Sequence, residues 1–268
     1  VTLMANNTYT GATVVDAGRL VLGVSGALSG STAVTVNGGE LALGVTSQSV
    51  GAVVLNDGAI SGGVLTGTDY LVKKGTISSV LAGAAGLTKA TGGEVLLSGL
   101  NTYAGGTVVD AGRLVLGVSG ALSGLTAVTV NGGELALGVT SQSVGAVVLN
   151  DGTISGGVLT GTDYLVKKGT VSSVLAGAAG LTKVTADEVV LSGMSTYTGA
   201  TVVDAGRLVL GVNGALPGST AVTVNGGELA LGVTSQSVGA VVLNDGTISG
   251  GVLTGTDYLV KKGTVSSV

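Results

Sequence analysis

The chain of 268 residues contains no cysteine, histidine, tryptophan or phenylalanine, and its single proline is Pro217. Without cysteine and histidine it cannot build the common zinc sites, iron–sulfur clusters or histidine-based catalytic triads. For the same reason no disulfide indicates a redox compartment. Fifteen acidic and eleven basic residues give a net charge of −4, so the sequence lacks the basic field that nucleic acid requires.

Long hydrophobic runs are also missing, and charged residues are only 10% of the chain, whereas 51 residues are glycine. Glycine, serine or asparagine interrupts each apolar run well before the ~20 residues of a membrane-spanning helix. We therefore predict no membrane span. Valine, leucine and isoleucine are plentiful, which argues against disorder. This composition is typical of many short strands joined by tight turns.

The sequence repeats itself with a period of 94 residues, as Tyr9, Tyr103 and Tyr197 illustrate. The period divides the chain into residues 1–94, 95–188 and 189–268, of which the last copy is truncated. We expect the three copies to form one continuous rod.

A shorter period of 17–21 residues lies inside each copy and is marked by turn glycines. In the first copy these are Gly18, Gly39, Gly58, Gly75 and Gly93. The residues two places after them are Leu20, Leu41, Ile60, Ile77 and Val95, and those three places before are Val15, Val36, Leu55, Val72 and Ala90. Both columns are apolar, and residues alternate in character around each glycine, which indicates strands.

We interpret each window as one coil of a parallel β-helix, or β-solenoid, with about 14 coils of 17–21 residues and five in each complete copy. An antiparallel β-sandwich is the alternative, but its turns would recur every 8–12 residues in hairpins. The segments Val24–Thr32 and Val45–Ser49 vary most in length, so we place them as loops on the third side of the coil.

The residue after each turn glycine is polar or small and should face water. Successive coils then bring opposite charges side by side, which predicts Glu–Arg–Glu ladders on the outer face. The alternative is that these charges only keep the face solvated. The predicted ladders are Glu94–Arg113–Glu134 and Glu188–Arg207–Glu228, with Arg19 and Glu40 beginning the series.

No residue stands out as catalytic, cofactor-binding or metal-binding, so we predict a protein that is not an enzyme and has no cofactor. Asp16 and Asp57 fall at corners, where aspartate favours turns. Lys73–Lys74 and their repeats also fall at a corner, where a solvated turn competes with a periodic contact to an anionic polymer. Tyr9 and Tyr70 are expected in core or corner packing, with stacking on sugars as the alternative.

The segment Leu97–Gly117 reads LSGLNTYAGGTVVDAGRLVLG, and close versions begin at Leu3 and Leu191. This pattern resembles the autotransporter-associated β-strand repeat of Gram-negative bacterial surface proteins. Departures from it are an arginine at Arg19, Arg113 and Arg207 and a serine at Ser195. The resemblance implies a right-handed parallel β-helix passenger that is extracellular, or attached to the outer membrane, with an adhesion or stalk role.

These observations predict a non-enzymatic extracellular stalk or fibre segment of a large bacterial surface adhesin or biofilm matrix protein. One alternative is a filament subunit that stacks end to end. Another is a glycan-binding or glycan-processing β-helix that would use Asp57 or Asp69. We expect self-association or continuation of the chain through exposed solenoid ends, and a host or matrix ligand at a distal region outside this sequence.

Overall fold

The computed structural model describes residues 1–268, and every regular element in it is a β-strand. It contains no helix with the length and apolar character needed to cross a membrane. The chain divides into two compact units, of which unit 1 comprises Val1–Val128 and Gly132–Ser143, and unit 2 comprises Thr129–Asn131 and Val144–Val268.

The strands are short, and most are three or four residues long. The first sixteen are β1 Thr2–Leu3, β2 Thr13–Val15, β3 Arg19–Leu22, β4 Val34–Val36, β5 Glu40–Ser49, β6 Ala52–Leu55, β7 Ala59–Thr66, β8 Asp69–Val72, β9 Gly75–Ile77, β10 Val80–Ala82, β11 Leu87–Lys89, β12 Glu94–Leu97, β13 Thr107–Val109, β14 Arg113–Leu116, β15 Val128–Val130 and β16 Glu134–Ser143. The remaining strands are β17 Ala146–Leu149, β18 Thr153–Thr160, β19 Asp163–Val166, β20 Gly169–Val171, β21 Val174–Ala176, β22 Leu181–Lys183, β23 Glu188–Leu191, β24 Thr201–Val203, β25 Arg207–Leu210, β26 Val222–Val224, β27 Glu228–Ser237, β28 Ala240–Leu243, β29 Thr247–Thr254, β30 Asp257–Val260 and β31 Thr264–Ser266.

Each strand pairs in parallel with the strand one coil further along the chain. In unit 1, Val36 lies beside Leu55, and Leu41 lies beside Ile60. In unit 2, Val224 lies beside Leu243 in the same way. The predicted β-solenoid of about 14 coils is therefore confirmed, and the β-sandwich alternative is wrong because the described pairings are parallel.

Alternation along each strand places one set of side chains inside the coil. In β4, Val34 and Val36 are fully buried, whereas Thr35 between them is partly exposed. Neighbouring coils repeat the pattern, so valine, leucine and isoleucine make up most of the interior of each unit. The apolar columns seen in the sequence are these stacks.

Glycine is required at the corners because the coils approach each other there. Gly58 has a φ of +97°, and a β-carbon on it would collide with the carbonyl oxygen of Gly39 in the coil before. A side chain at this position would therefore oppose both the backbone conformation and the stacking of the two coils.

One predicted loop is part of a strand. Val45–Ser49 belongs to β5, because Gly44 adopts a φ of +62° and bends the strand at a bulge without ending it. Pairing with β7 then resumes, with Gln48 beside Leu65. The bulge leaves Val45 wholly exposed. Variation in segment length suggested a loop, but a bulge absorbs extra residues while preserving the ladder.

The apolar column predicted two residues after each turn glycine is also out of register at the fifth coil of each complete copy. Ile77 pairs with Leu97 rather than with Val95, and Val95 lies beside Gly75. The register is shifted by two residues relative to the glycine alignment. Because side chains alternate with a period of two, an even shift keeps the same set inside the coil.

The inward position predicted for Ala90 is occupied by Lys89, which pairs with Val72 and is fully buried. Lys183 takes the same place in the second copy. A lysine thus interrupts the apolar column in each complete copy. The alignment on turn glycines assigned the inward position to the residue that follows this lysine.

Candidate functional site

The outer face carries the predicted charge ladders. Arg113 contacts Glu94 at 2.8 Å and Glu134 at 3.1 Å. In unit 2, Arg207 contacts Glu188 at 2.7 Å and Glu228 at 3.1 Å. The hydrogen bond that Arg113 donates to the Glu94 carboxylate raises the pKa of the Arg113 guanidinium. The ladder prediction is confirmed. Each ladder links three successive coils at the start of their strands.

A second set of polar contacts ties the corners together. Asp57 accepts a hydrogen bond from the Gly58 N–H at 2.8 Å, as a turn-forming aspartate does, and binds Lys74 at 2.6 Å. The bond from Lys74 lowers the pKa of Asp57. Asn56 donates to Asn37 at 2.7 Å, and Asn37 donates to Asp16 at the same distance. These side chains therefore have structural partners within the corner.

The motif N-T-Y-x-G-G-T is an interior clamp between three coils. Asn101 is buried, accepts from the Leu81 N–H at 2.8 Å and donates to the Ala121 carbonyl at 2.8 Å. The Tyr103 hydroxyl lies 2.6 Å from the Thr107 hydroxyl, and both residues are fully buried. Burial raises the pKa of Tyr103 strongly. The motif residues thus satisfy backbone groups of the coils on either side.

Most tyrosines lie in the core. Tyr70, Tyr103, Tyr164 and Tyr197 are buried, and their rings pair at centroid distances of 6.2 Å for Tyr70–Tyr103 and 6.3 Å for Tyr164–Tyr197. For Tyr70 this confirms core packing rather than stacking on sugars. Tyr9 is partly exposed and bonds Thr13 at 2.8 Å.

The two buried lysines were missed by reasoning from sequence. The Lys89 ammonium donates to the Thr91 carbonyl and, at 3.1 Å, to the Ala111 carbonyl in the next coil. Lys183 donates likewise to the Thr185 and Ala205 carbonyls. Burial lowers the pKa of both ammonium groups. Backbone carbonyl acceptors leave no signature in a sequence, so no pattern indicated this arrangement.

A groove on the third side of unit 1 has a volume of about 480 Å³. Its lining is hydroxyl-bearing, glycine or amide except for Leu122, and it contains no charged side chain. Leu100 and Leu125, which adjoin lining residues in the chain, are both exposed. The lining residues are Asn101, Thr102, Gly120, Leu122, Ser123, Gly124, Ser141 and Ser143.

Differences among the three copies are concentrated beside this groove. Residues 32–80 vary at only two positions across the copies, Ala59 and Ile77, whereas ten of the first thirty-one positions vary. Leu100 replaces the Asn6 of the first copy, and Leu125 replaces Ser31. The coil scaffold is therefore nearly constant, and the chemistry of one surface changes from copy to copy.

The fold and these contacts define a class of protein, the repetitive parallel β-solenoid whose repeat motif clamps adjacent coils. Comparison with known families identifies the motif. The passenger-associated transport repeat family matches residues 1–22, 87–116 and 179–210, the segments that contain the N-T-Y clamp or its counterparts. The chain is therefore autotransporter passenger sequence with these repeats, and it is extracellular, at the cell surface.

One relative is the adhesin BmaC autotransporter of Brucella suis biovar 1 (strain 1330), which is 33% identical over 228 residues. The aligned region is 78% of this chain but 6% of the relative, so the chain corresponds to a small part of that protein. No solved structure matches the chain. The similarity relates this passenger segment to a surface adhesin.

Proposed function

We propose that the segment is a non-enzymatic structural stalk that extends an adhesin from the cell surface. The observation that supports this most is the recurrence of the same contacts at intervals of 94 residues. Arg113–Glu94 and Arg207–Glu188 contacts, Tyr–Thr pairs and buried lysines all repeat. Adding a copy therefore adds coils without changing their contacts.

Removal of one complete copy from the full-length surface protein tests the stalk. Deletion of residues 95–188 joins Glu94 to Val189, which reproduces the natural Glu94–Val95 junction. Five coils at ~4.8 Å each should then be lost, which shortens the displayed protein by about 24 Å. We expect surface display and adhesion to be retained. If the protein is displayed and folded but no longer adheres, this segment binds the ligand and the stalk proposal is wrong.

The oligomeric state of the isolated chain distinguishes the stalk from a self-assembling filament. The alternative of a filament that stacks end to end predicts that the isolated 268-residue chain forms linear oligomers whose length grows with concentration. A monomer at all concentrations, measured by sedimentation, supports the stalk. Oligomers that form head to tail favour the filament.

A second candidate function, the binding of an uncharged glycan, is favoured by the clustering of copy differences beside the hydroxyl-lined groove. A glycan array probed with the chain tests it. The matched control carries Leu100→Asn and Leu125→Ser, the residues of the first copy. If the chain binds a neutral glycan and the two changes abolish that binding, the result supports a glycan site at the groove. If the chain binds no neutral glycan, this candidate function is wrong.

A further inference from the structure

One coil in each complete copy differs from the others in the continuity of its strand. We name it the split layer and define it as residues 73–93 in the first copy and 167–187 in the second. In it, β9 and β10 are separated at Ser78–Ser79, whereas β7 in the preceding coil runs unbroken from Ala59 to Thr66. Beyond β10, the next coil presents irregular backbone, with the Thr102 N–H donating to the Leu81 carbonyl.

The break in the strand buries a hydroxyl that has no hydrogen-bond partner among the protein groups. Ser79 is fully buried, and its hydroxyl oxygen is unpaired. Ser173 repeats this arrangement in the second copy. A buried polar group without a partner loses its hydration on folding and gains nothing in return, so it weakens the layer that contains it.

The same layer buries a positive charge. Lys89 and Lys183 are fully buried, and the acceptors described above for their ammonium groups are uncharged. Transfer of an ammonium group from water to such a site is unfavourable unless a partner of opposite charge compensates it. No carboxylate is paired with Lys89, whereas Asp187 attracts the Lys183 ammonium, so the buried charge is less compensated in the first copy. Two independent weakening features therefore coincide in one coil.

We infer that the split layer is the place at which each copy opens first, under heat, denaturant or pulling force. The coils before it keep the β5–β7 pairing and the coils after it keep the β12–β14 pairing, so both groups of coils remain stacked when the split layer opens. A solenoid of this kind would yield in steps of one layer for each copy rather than unravelling from an arbitrary point. The inference concerns local stability and holds whether the segment is a stalk or binds a ligand.

Hydrogen–deuterium exchange on the full 268-residue chain tests the inference directly. The strands to compare lie in the same sheet, β11 and β22 in the split layers against β4 and β15 in other coils, because Asn56 and Asn150 beside β6 and β17 also have buried, unpaired oxygens. We expect the split-layer amides to exchange about tenfold faster or more. Equal protection of the two sets, or greater protection of β11 and β22, would overturn the inference.

Paired serine variants show whether the buried hydroxyl causes the weakness. Ser79→Ala with Ser173→Ala removes the unpaired hydroxyls, and Ser78→Ala with Ser172→Ala removes exposed hydroxyls one residue away. The first pair should slow exchange in the split layers about fivefold or more, and the second should leave it unchanged. Identical exchange in both variants would contradict the assigned cause.

A lysine pair keeps the test decisive should the serine variant fold poorly. Lys89→Met with Lys183→Met removes the buried charge and keeps the length of the side chain. Its control, Lys73→Met with Lys167→Met, changes lysines at the corner of the same layer that are not fully buried. Slower exchange in the first variant alone supports the inference. Faster exchange would show that the lysines strengthen the layer, and would overturn it.

Discussion

β7 lies next to the split layer in the same copy, yet the pairing of β7 with β5 on its other side is built differently. β5 pairs with β7 at seven positions across a bulge, and Gln48 on β5 is buried with all its polar atoms bonded. In the split layer, two short strands replace one long strand, and a buried hydroxyl is unpaired. We therefore expect layers of unequal stability from coils of similar length with the same glycine corners, because the strand pairing and the hydrogen bonding of buried polar groups differ between them.

Tyr70 joins these two regions. Its hydroxyl accepts from the Gly67 N–H at 2.7 Å and lies 2.7 Å from the Leu65 carbonyl and 2.8 Å from the Ala82 carbonyl. Leu65 belongs to β7 and Ala82 to β10, so one phenol links the continuous strand to the split layer. Tyr164 makes the same bridge in unit 2.

Alkaline pH should therefore cause the largest loss of stability. Burial raises the pKa of the phenols of Tyr70, Tyr103, Tyr164 and Tyr197 above the ordinary value of about 10. The phenols ionise at a lower pH in the unfolded chain than in the folded chain. The stability that the buried phenols contribute is therefore fully present below about pH 10 and is lost as the pH rises beyond it. Burial lowers the pKa of Lys89 and Lys183, so their contribution makes stability rise with pH, but these two lysines are outnumbered by the four phenols.

We expect the free energy of unfolding to fall steeply above pH 10, with the split layers exposed first. Denaturant melts between pH 8 and 12, combined with hydrogen exchange, measure both effects. Stability that stays constant up to pH 12 would contradict the burial of the phenols.

The next largest loss of stability should come from a substitution in β5. Gln48→Ala removes the acceptor of the Leu28 N–H at 3.3 Å and the donor to the Val24 carbonyl at 2.6 Å. The buried Leu28 N–H and the partly buried Val24 carbonyl lose their partner and a cavity forms, which should cost about 3 kcal/mol in the free energy of unfolding. Ser49→Ala, at the exposed neighbouring position, is the control and should change it little. Equal losses in the two variants would refute the role of Gln48.

A smaller loss should follow the removal of the clamp on the split layer. Asn101→Ala leaves the Leu81 N–H and the Ala121 carbonyl without this partner. We expect a loss of about 2 kcal/mol and faster exchange in β10. Asn101→Ser, which introduces the residue found at Ser195, should cost less. A larger loss for serine than for alanine would contradict this account of the motif.

The smallest effect should come from the outer ladder. Arg113→Gln breaks contacts of 2.8 Å to Glu94 and 3.1 Å to Glu134, but all three side chains are partly exposed. Each such pair contributes about 0.2–1 kcal/mol, and less in salt. Denaturant melts at low and high salt should show a small difference from the native chain that shrinks as salt is added. A loss that is unaffected by salt would indicate a packing role for Arg113.

Comparison with the sequence shows which features a pattern can predict. Alternation and turn glycines predicted the Val36–Leu55 and Leu41–Ile60 neighbours, because face and coil length are properties of the chain itself. The charge ladders followed, since register places Arg113 between two glutamates.

The features that escaped prediction depend on three-dimensional contacts. Lysine is nearly always exposed, so Lys89 gave no reason to expect a buried site capped by carbonyl groups. The two-residue shift at Ile77 keeps the alternation intact, and is therefore invisible to a pattern of faces. The strand at Val45–Ser49 depended on the bulge at Gly44.

Disulfide formation tests the stacking of coils most directly, because the chain has no cysteine of its own. Thr35 and Val54 are register partners on adjacent strands, whereas Leu71 lies one coil beyond Val54. Thr35→Cys with Val54→Cys should form a disulfide within the monomer, since Cα atoms of adjacent strands are close enough, at ~5 Å. Thr35→Cys with Leu71→Cys, two strands apart at ~10 Å, should not. Rapid bridging in the first variant alone is the predicted result. A bridge between residues 35 and 71, or none between 35 and 54, would contradict parallel coils of this length.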